Sequence, residues 1–454
     1  MKNYRQTIPA PVVCARRSAF AAVAAVLFIS LIAPQSLRAQ AFDRIERERA
    51  LTMLSNVKDQ LKKNYYDPSI RGMDVDTRFK AAEEKIKQAN SLGQSFGIIA
   101  QVLLDLNDSH TSFIPPSRAV SVDYGWRMQA VGEQCYVMWV KPGSDAEAKG
   151  LKPGDLVLSI DNFKPMRKDL WKMEYYYYAL SPRPGMRLVV QSPGQAAREV
   201  DVAAKVRQEK RVIDLAGKGA SFDLNEMIRD SEDSARLMQH RFHKFGGVVV
   251  WKMPSFSFEP EQVDRIMAEH VRGSSALILD LRGNPGGYIV TLERLAGYFF
   301  DRDVKIADRK GRKEMKPMLA KTRGKDTFTG KVVVLVDSKS ASCSELFARL
   351  MQLEKRGVVI GDVSSGAVMQ SIFYQQEMGV NTIVLYGVSI TNADVVMGDG
   401  KSLEHTGVQP DELLRPTAED MAAQRDPVLT RAAELFGVKL DPAKAGALFP
   451  VLWK

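Results

Sequence analysis

The sequence predicts an α/β fold in several parts: a helical N-terminal segment, a β-rich module and an α/β core. Three observations carry this. Apolar residues recur at helical spacing from Asp43 to about Pro116. Short alternating strands, separated by turn residues, fill Val120 to about Val206. Beyond Gly246, short β-branched runs lead through tight turns into amphipathic helices, as in Val332–Phe347 (VVVLVDSKSASCSELF). Continuous apolar runs of that length suit strands covered on both faces.

Composition sets the class. The chain has 454 residues, 45% apolar and 26% charged, which is ordinary for soluble protein with room for more than one domain. The formal charge is +10, but Lys2, Arg5, Arg16, Arg17 and Arg38 supply half of it. No basic-aromatic face reads as nucleic-acid binding, so no nucleic-acid partner is expected. Residues 1–41 read as a secretory signal peptide. A basic stretch precedes the apolar run Ser18–Ala33, which is short for a membrane span, and small residues follow at Ala39-Gln40-Ala41. Membrane contact is expected only through this segment before cleavage, and the mature protein is expected to be secreted or periplasmic. Cys135 and Cys343, in different predicted domains, then read as free thiols rather than a disulfide framework.

Residues 42–117 form the helical segment. Helices are expected over Arg44–Lys63, Val75–Ala89 and Phe96–Leu106. The last runs into Asp108-Ser109-His110-Thr111 and then Pro115-Pro116, a stiff and exposed stretch. A histidine there is ordinarily just solvated. Residues 118–207 form the β module, with strands at Trp126–Val131, Cys135–Val140, Leu156–Ile160, Met186–Gln191 and Glu199–Val206. The aromatic run Trp171–Tyr178 either lines a groove or packs this module against the core. Residues 208–245 are charged and read as a linker.

The core spans 246–416. Strands are expected at Val248–Met253, Ala276–Leu281 and Val332–Val336, with helices at Glu259–Val271, Thr291–Tyr298 and after Glu345. The turn Arg282-Gly283-Asn284-Pro285-Gly286-Gly287 lacks the Lys-Ser/Thr of a phosphate loop. Its glycines serve a tight turn or leave N–H groups open for an oxyanion. In Ser340-Ala341-Ser342-Cys343-Ser344-Glu345, a serine at a strand-to-helix turn is either a helix cap or a nucleophile. The local pattern does not separate the two. Residues 417–454 read as a helix, Asp426–Phe436, and a tail whose apolar end is a candidate contact for a partner subunit. A homo-oligomer is therefore left open. No His, Asp or Glu cluster has metal-ligand spacing, so neither metal nor cofactor is expected.

Two resemblances order these motifs. Ala148, Gly150-Leu151, Gly154-Asp155, Ile160 and Asp161 resemble the pattern of a PDZ domain. That resemblance implies peptide binding at a sheet edge, or a structural or gating role. The groove loop near Tyr124-Gly125-Trp126-Arg127 departs from the usual Gly-Leu-Gly type. Leu279–Gly287, Ser340–Glu345, Val359-Ile360-Gly361-Asp362 and Gly407-Val408-Gln409-Pro410-Asp411 resemble, in order, the motifs of the C-terminal-processing (tail-specific) and tricorn-core serine proteases. The resemblance implies a crotonase-like (ClpP/crotonase-type) α/β superhelix core, with the helical domain before it and the PDZ-like domain inserted.

It also implies roles. Ser342 matches the family nucleophile. The tail-specific branch takes its base from a lysine in the turn after Gly361, where this chain has Ala367 in Ser365-Gly366-Ala367-Val368-Met369-Gln370. The Ser-Lys dyad is absent. An inactive peptide-binding scaffold is one reading. The other is the Ser-His-acid branch, with His110 as base and Glu404 as orienting acid; both residues are present, which favours an enzyme acting on protein or peptide substrates. Oxyanion donors would be the N–H groups of Cys343 and of Gly286 or Gly287. Asn284 and Gly366, in the adjoining turns, are candidate substrate-binding residues. Ser340 and Ser344 are rival nucleophiles and His405 a rival base. His240, His243 and His270 lack motif context and read as solvated helix or linker residues.

Overall fold

A computed structural model describes residues 44–116, 120–208, 239–379 and 383–452. The segment read as a signal peptide and most of the one read as a linker lie outside the described residues.

Three helices lead the chain: Arg44–Asn64, Val75–Lys87 and Leu92–Leu104. Their apolar stripes meet through Leu54, Val57, Leu61, Phe79, Ile86, Ile99 and Leu103. The third helix begins four residues earlier than its apolar spacing suggests, because Ser91 caps it, accepting from the Gln94 N–H at 3.2 Å. Strand β1 (Ser112–Ile114) follows and pairs antiparallel with a long strand near the end of the core. That pairing anchors the segment carrying His110.

The β module opens with β2 (Val120–Asp123). Then come β3 (Trp126–Val131), β4 (Gln134–Val140), β5 (Leu156–Ile160), β6 (Gly185–Gln191) and β7 (Arg198–Ala203), an antiparallel sheet in that order. The run Glu199–Val206 is two strands rather than one. At Ala204 the chain leaves the sheet, and β8 (Lys205–Gln208) pairs with β2 instead. Trp126, Val137, Leu151, Ile160, Leu188 and Val202 fill the module's core. The aromatic run forms a helical turn, Leu170–Glu174, and a π-helical one, Tyr175–Leu180. Tyr177 is buried in the module, while Tyr175 donates to the Phe113 carbonyl beside β1. The run therefore packs the module onto the rest of the chain.

The core is a six-stranded sheet. Its strands are β9 (Arg241–Phe245), β10 (Val248–Lys252), β11 (Ala276–Asp280), β14 (Lys331–Val336), β15 (Val358–Gly361) and β18 (Glu412–Leu413), in the order β18-β15-β14-β11-β10-β9. All pairs are parallel except β9 with β10. Strand β9 lies inside the stretch read as linker. Its charged sequence, RFHKF, suits an edge strand, whose outer side faces no partner strand. A second sheet holds β12 (Val304–Gly311), β13 (Met318–Ala320), β16 (Gln370–Met378), β17 (Val384–Met397) and β1.

The β-branched runs follow from burial on both faces. Val249, Leu277, Leu279 and Val334 face the helices Pro260–Ile266, Ile289–Ala296 and Cys343–Leu353. Val250, Ile278, Val333 and Leu335 face the helix Pro427–Glu434 through Leu429 and Ala432. The tail reaches this second face as well: Leu448 and Phe449, partly buried, pack against it.

Candidate active site

Strand β14 ends at Val336, and the helix Cys343–Leu353 begins seven positions on. Ser342 sits at the helix start with φ 55° and ψ −120°, a conformation a non-glycine residue adopts only under constraint. The constraint is visible. Its N–H donates to the Ala367 carbonyl at 2.8 Å and to Glu345 Oε2 at 3.0 Å. The rival serines are otherwise engaged. Ser340 is fully buried and donates to the Leu281 carbonyl at 2.8 Å; Ser344 is fully buried and donates to the Asn284 carbonyl at 3.0 Å. Ser342 alone of the three keeps solvent access. The Cys343 thiol is buried against the Gly287 carbonyl at 3.3 Å, and burial pushes it up to about 12, so it is not a thiolate at neutral pH.

The glycine turn lies against this serine. A Cβ on Gly286, whose φ is +94°, would stand 2.7 Å from Ser342 Cβ. The Gly286 N–H is spent on Asn284 Oδ1 at 2.9 Å. That leaves the N–H groups of Gly287 and Cys343 without partners among the described residues, open to donate to an anionic oxygen. Asn284 is fully buried, and its amide nitrogen donates to the Met253 carbonyl at 3.0 Å. Its carbonyl accepts from the Ala341 N–H at 3.0 Å. These bonds, two through its side chain and one through its backbone carbonyl, hold Asn284 as a support of the turn.

Gly366 behaves alike. Its N–H donates to Glu345 Oε1 at 2.7 Å, and its carbonyl accepts from the His405 N–H at 2.7 Å. Gly366 thus shapes the turn, at a φ of +72° that suits glycine. Glu345 is the hub. Fully buried, its carboxylate accepts from Ser342, Gly366 and Ala367 N–H groups and from Ser364 Oγ at 2.5 Å. Burial pushes its carboxyl up to about 7, against the pull of those donors.

His110 arrives on the segment before β1. Buried Asp108 shapes that segment, accepting from the N–H groups of His110 (2.9 Å) and Thr111 (3.0 Å), Tyr65 Oη (2.8 Å) and Thr391 Oγ1 (2.6 Å). Glu404 reaches His110 through an intermediary. Its carboxylate accepts from the Ser109 N–H at 3.0 Å and Ser109 Oγ at 2.9 Å, and Ser109 Oγ lies 2.7 Å from His110 Nδ1. A hydroxyl has one proton. Since Ser109 gives it to Glu404, the imidazole must donate Nδ1–H, which leaves the Nε2 lone pair free. Burial lowers the pKa of His110, while Glu404 and Asp108 counter by raising it.

The two halves meet at one turn. Ala367 accepts from Ser342, and the next N–H, of Val368, donates to Glu404 Oε2 at 2.9 Å. The rival base His405 is turned to the Asn107 carbonyl at 2.9 Å. The β module also touches the serine turn: Gln129 Nε2 donates to Asp337 Oδ2 at 2.7 Å, and Lys339 pairs with Glu174 at 2.7 Å. Sequence reasoning missed Ser109 and Glu345. A polar Asp-Ser-His-Thr run between a helix and a proline pair, and an acid three residues after Ser342, were the available signals.

Residues 247–414 match the model of peptidase family S41. Curated relatives agree with that family. The chain is 25% identical over 282 residues to the tail-specific protease of Haemophilus influenzae, covering 58% of this chain and 37% of that one. It is 24% identical over 380 residues to the carboxy-terminal processing protease CtpB of Bacillus subtilis, covering 78% and 72%. The chain thus spans little more than a third of the Haemophilus protein and about two thirds to three quarters of shorter relatives. Among solved structures, mature CPAF has the same fold, with a TM-score of 0.61, 16% identity, and 83% and 94% of the two chains covered.

Proposed function

We propose that this chain is an exported S41 serine peptidase that cleaves peptide bonds through an acyl-enzyme on Ser342. In this reading His110 Nε2 takes the Ser342 proton as Oγ attacks the scissile carbonyl, then gives it to the leaving amine. A water activated by the same nitrogen later releases the acyl group. Glu404 acts through Ser109, holding the Nδ1–H tautomer and stabilising the imidazolium. The N–H groups of Gly287 and Cys343 receive the oxyanion, each worth roughly 2.7–4 kcal/mol in such sites. The core is read as crotonase-like, the β module as PDZ-like and residues 1–41 as the export signal.

The observation that supports this most directly is the Glu404–Ser109–His110 chain of hydrogen bonds, which meets the Ser342 turn at Ala367 and Val368. It supplies a base in a protein that has no lysine at the Ala367 position. A fluorophosphonate probe tests it. Labelling of the wild type and none of Ser342→Ala or His110→Ala is the expected result. Labelling that persists in Ser342→Ala would show the assignment to be wrong, and no labelling of the wild type would favour a non-catalytic scaffold.

A further inference from the structure

The parallel strands β10, β11 and β14 end on the rim that carries the glycine turn and Ser342. Ligands of open α/β sheets bind beyond those carboxyl ends. Next to the turn on that rim lies a cavity of about 530 Å³, lined by His240, Phe242, Ser257, Phe258, Arg265 and His270 among others. Its link to the nucleophile is short. Ser255, also in its wall, donates to the Gly286 carbonyl at 2.9 Å. A Cβ on Gly287 would meet Ser257 Oγ at 2.7 Å, and one on Gly286 would meet Ser342 Cβ at 2.7 Å. Neighbouring glycines therefore touch the cavity wall and the nucleophile.

The lining has a definite chemistry. His240 lies edge-on to Phe258 with centroids 4.6 Å apart, and Phe242 stacks on His270 at 3.9 Å. Trp251 Nε1–H donates to His240 Nδ1 at 3.2 Å, so the proton of neutral His240 is on Nε2. Burial lowers His240 to about 4, which keeps it uncharged at neutral pH. His240 is thus no solvated linker residue. Arg265 and Glu269, of opposite sign, both stand at the rim, so charge does not select the occupant. Ring faces and edges do, because aromatic rings favour offset or edge-to-face partners at 4.5–7 Å.

We infer that this cavity is a side-chain subsite of the substrate groove, and that it takes an aromatic residue of the peptide beside the scissile bond. The inference rests on the peptidase reading above and adds its selectivity.

The test uses the full chain and four peptides that differ at one position by Phe, Leu, Lys or Ala, with product ends read by mass spectrometry. The wild type is expected to favour the Phe peptide over the Ala peptide at least tenfold in kcat/KM. Phe258→Ala should bring that ratio to within about threefold of unity, and Phe258→Leu, which keeps an apolar wall, should fall between. Independently of any variant, N-acetylphenylalanine amide should slow fluorophosphonate labelling of the wild type more than N-acetylalanine amide does. Equal cleavage of the four peptides, a preference for Lys or Ala, or a Phe preference unchanged in Phe258→Ala would overturn the subsite while the labelled Ser342 keeps the peptidase reading. An unlabelled, uncleaving wild type would end both.

Discussion

Ser109 and Glu404, 295 positions apart, are joined twice: the N–H and the hydroxyl of Ser109 each donate to one oxygen of the Glu404 carboxylate. That double tie makes Ser109 a hinge pin for the neighbouring imidazole. Replacing it by alanine leaves the backbone bond but strands His110 Nδ1. Fluorophosphonate labelling of Ser109→Ala is expected to slow on the order of 10²-fold, the usual worth of a general base. Ser109→Thr, which restores a hydroxyl, should recover much of the rate. Equal labelling of the alanine variant and wild type would remove Ser109 from the relay.

The pH profile follows from the same group. With His110 as the proposed base, the unprotonated imidazole is the active form, and burial lowers its pKa from the ordinary 6.5. The acid limb of kcat/KM should therefore fall below pH 6.5. Glu404 raises that pKa, so Glu404→Gln should move the limb to still lower pH while reducing the plateau. A limb above 6.5 in the wild type would contradict the assignment of His110 as base.

Gly286 leaves no room for a side chain. Gly286→Ala would push a methyl to 2.7 Å from Ser342 Cβ, at a φ of +94° where alanine is strained. Labelling is expected to be lost. Gly283→Ala has a similar φ of +73° but open space around its Cβ. It should cost about 1–2 kcal/mol of stability by thermal melting, with labelling retained. Equal labelling of the two variants would count against the close approach of turn and nucleophile.

Glu345 gives a signed dependence of stability on pH. Its carboxyl is raised from 4.5 to about 7, so the folded chain binds more protons than the unfolded one in that window. Stability from this group is full below pH 4.5 and declines as pH rises towards 7. Glu345→Gln should remove that decline and, by losing acceptors at a buried hub, cost about 3 kcal/mol at pH 5 in denaturant melts. An unchanged slope in the variant would show that another group titrates there.

Much of the architecture was legible because it is local. The runs at Ala276 and Val332 read as buried strands, since burial on both faces leaves continuous apolar sequence. The strands Trp126–Val131 and Leu156–Ile160 came out at their observed bounds. Strand β9 was not legible, because RFHKF carries the charges of an edge and so resembles a linker. The sheet of β12, β13, β16 and β17 was missed for a related reason. Its exposed strands, such as β16 (QSIFYQQEM), mix polar and apolar residues without clean alternation. Nor did the apolar tail announce its site, because the face it covers is formed by strands up to two hundred residues earlier.

At the candidate site the division is sharper. By itself the sequence determined the order of the motifs, the serine turn, and Ala367 in place of a lysine, since these are properties of residue type and spacing. Only the tertiary structure decided that Ser342 keeps solvent access while Ser340 and Ser344 do not, that the Gly286 N–H is spent on Asn284 while no described residue takes that of Gly287, and that Glu404 meets His110 through Ser109. Those outcomes depend on where individual N–H, C=O and hydroxyl groups point. Direction is set by packing between segments hundreds of residues apart, which no local pattern encodes.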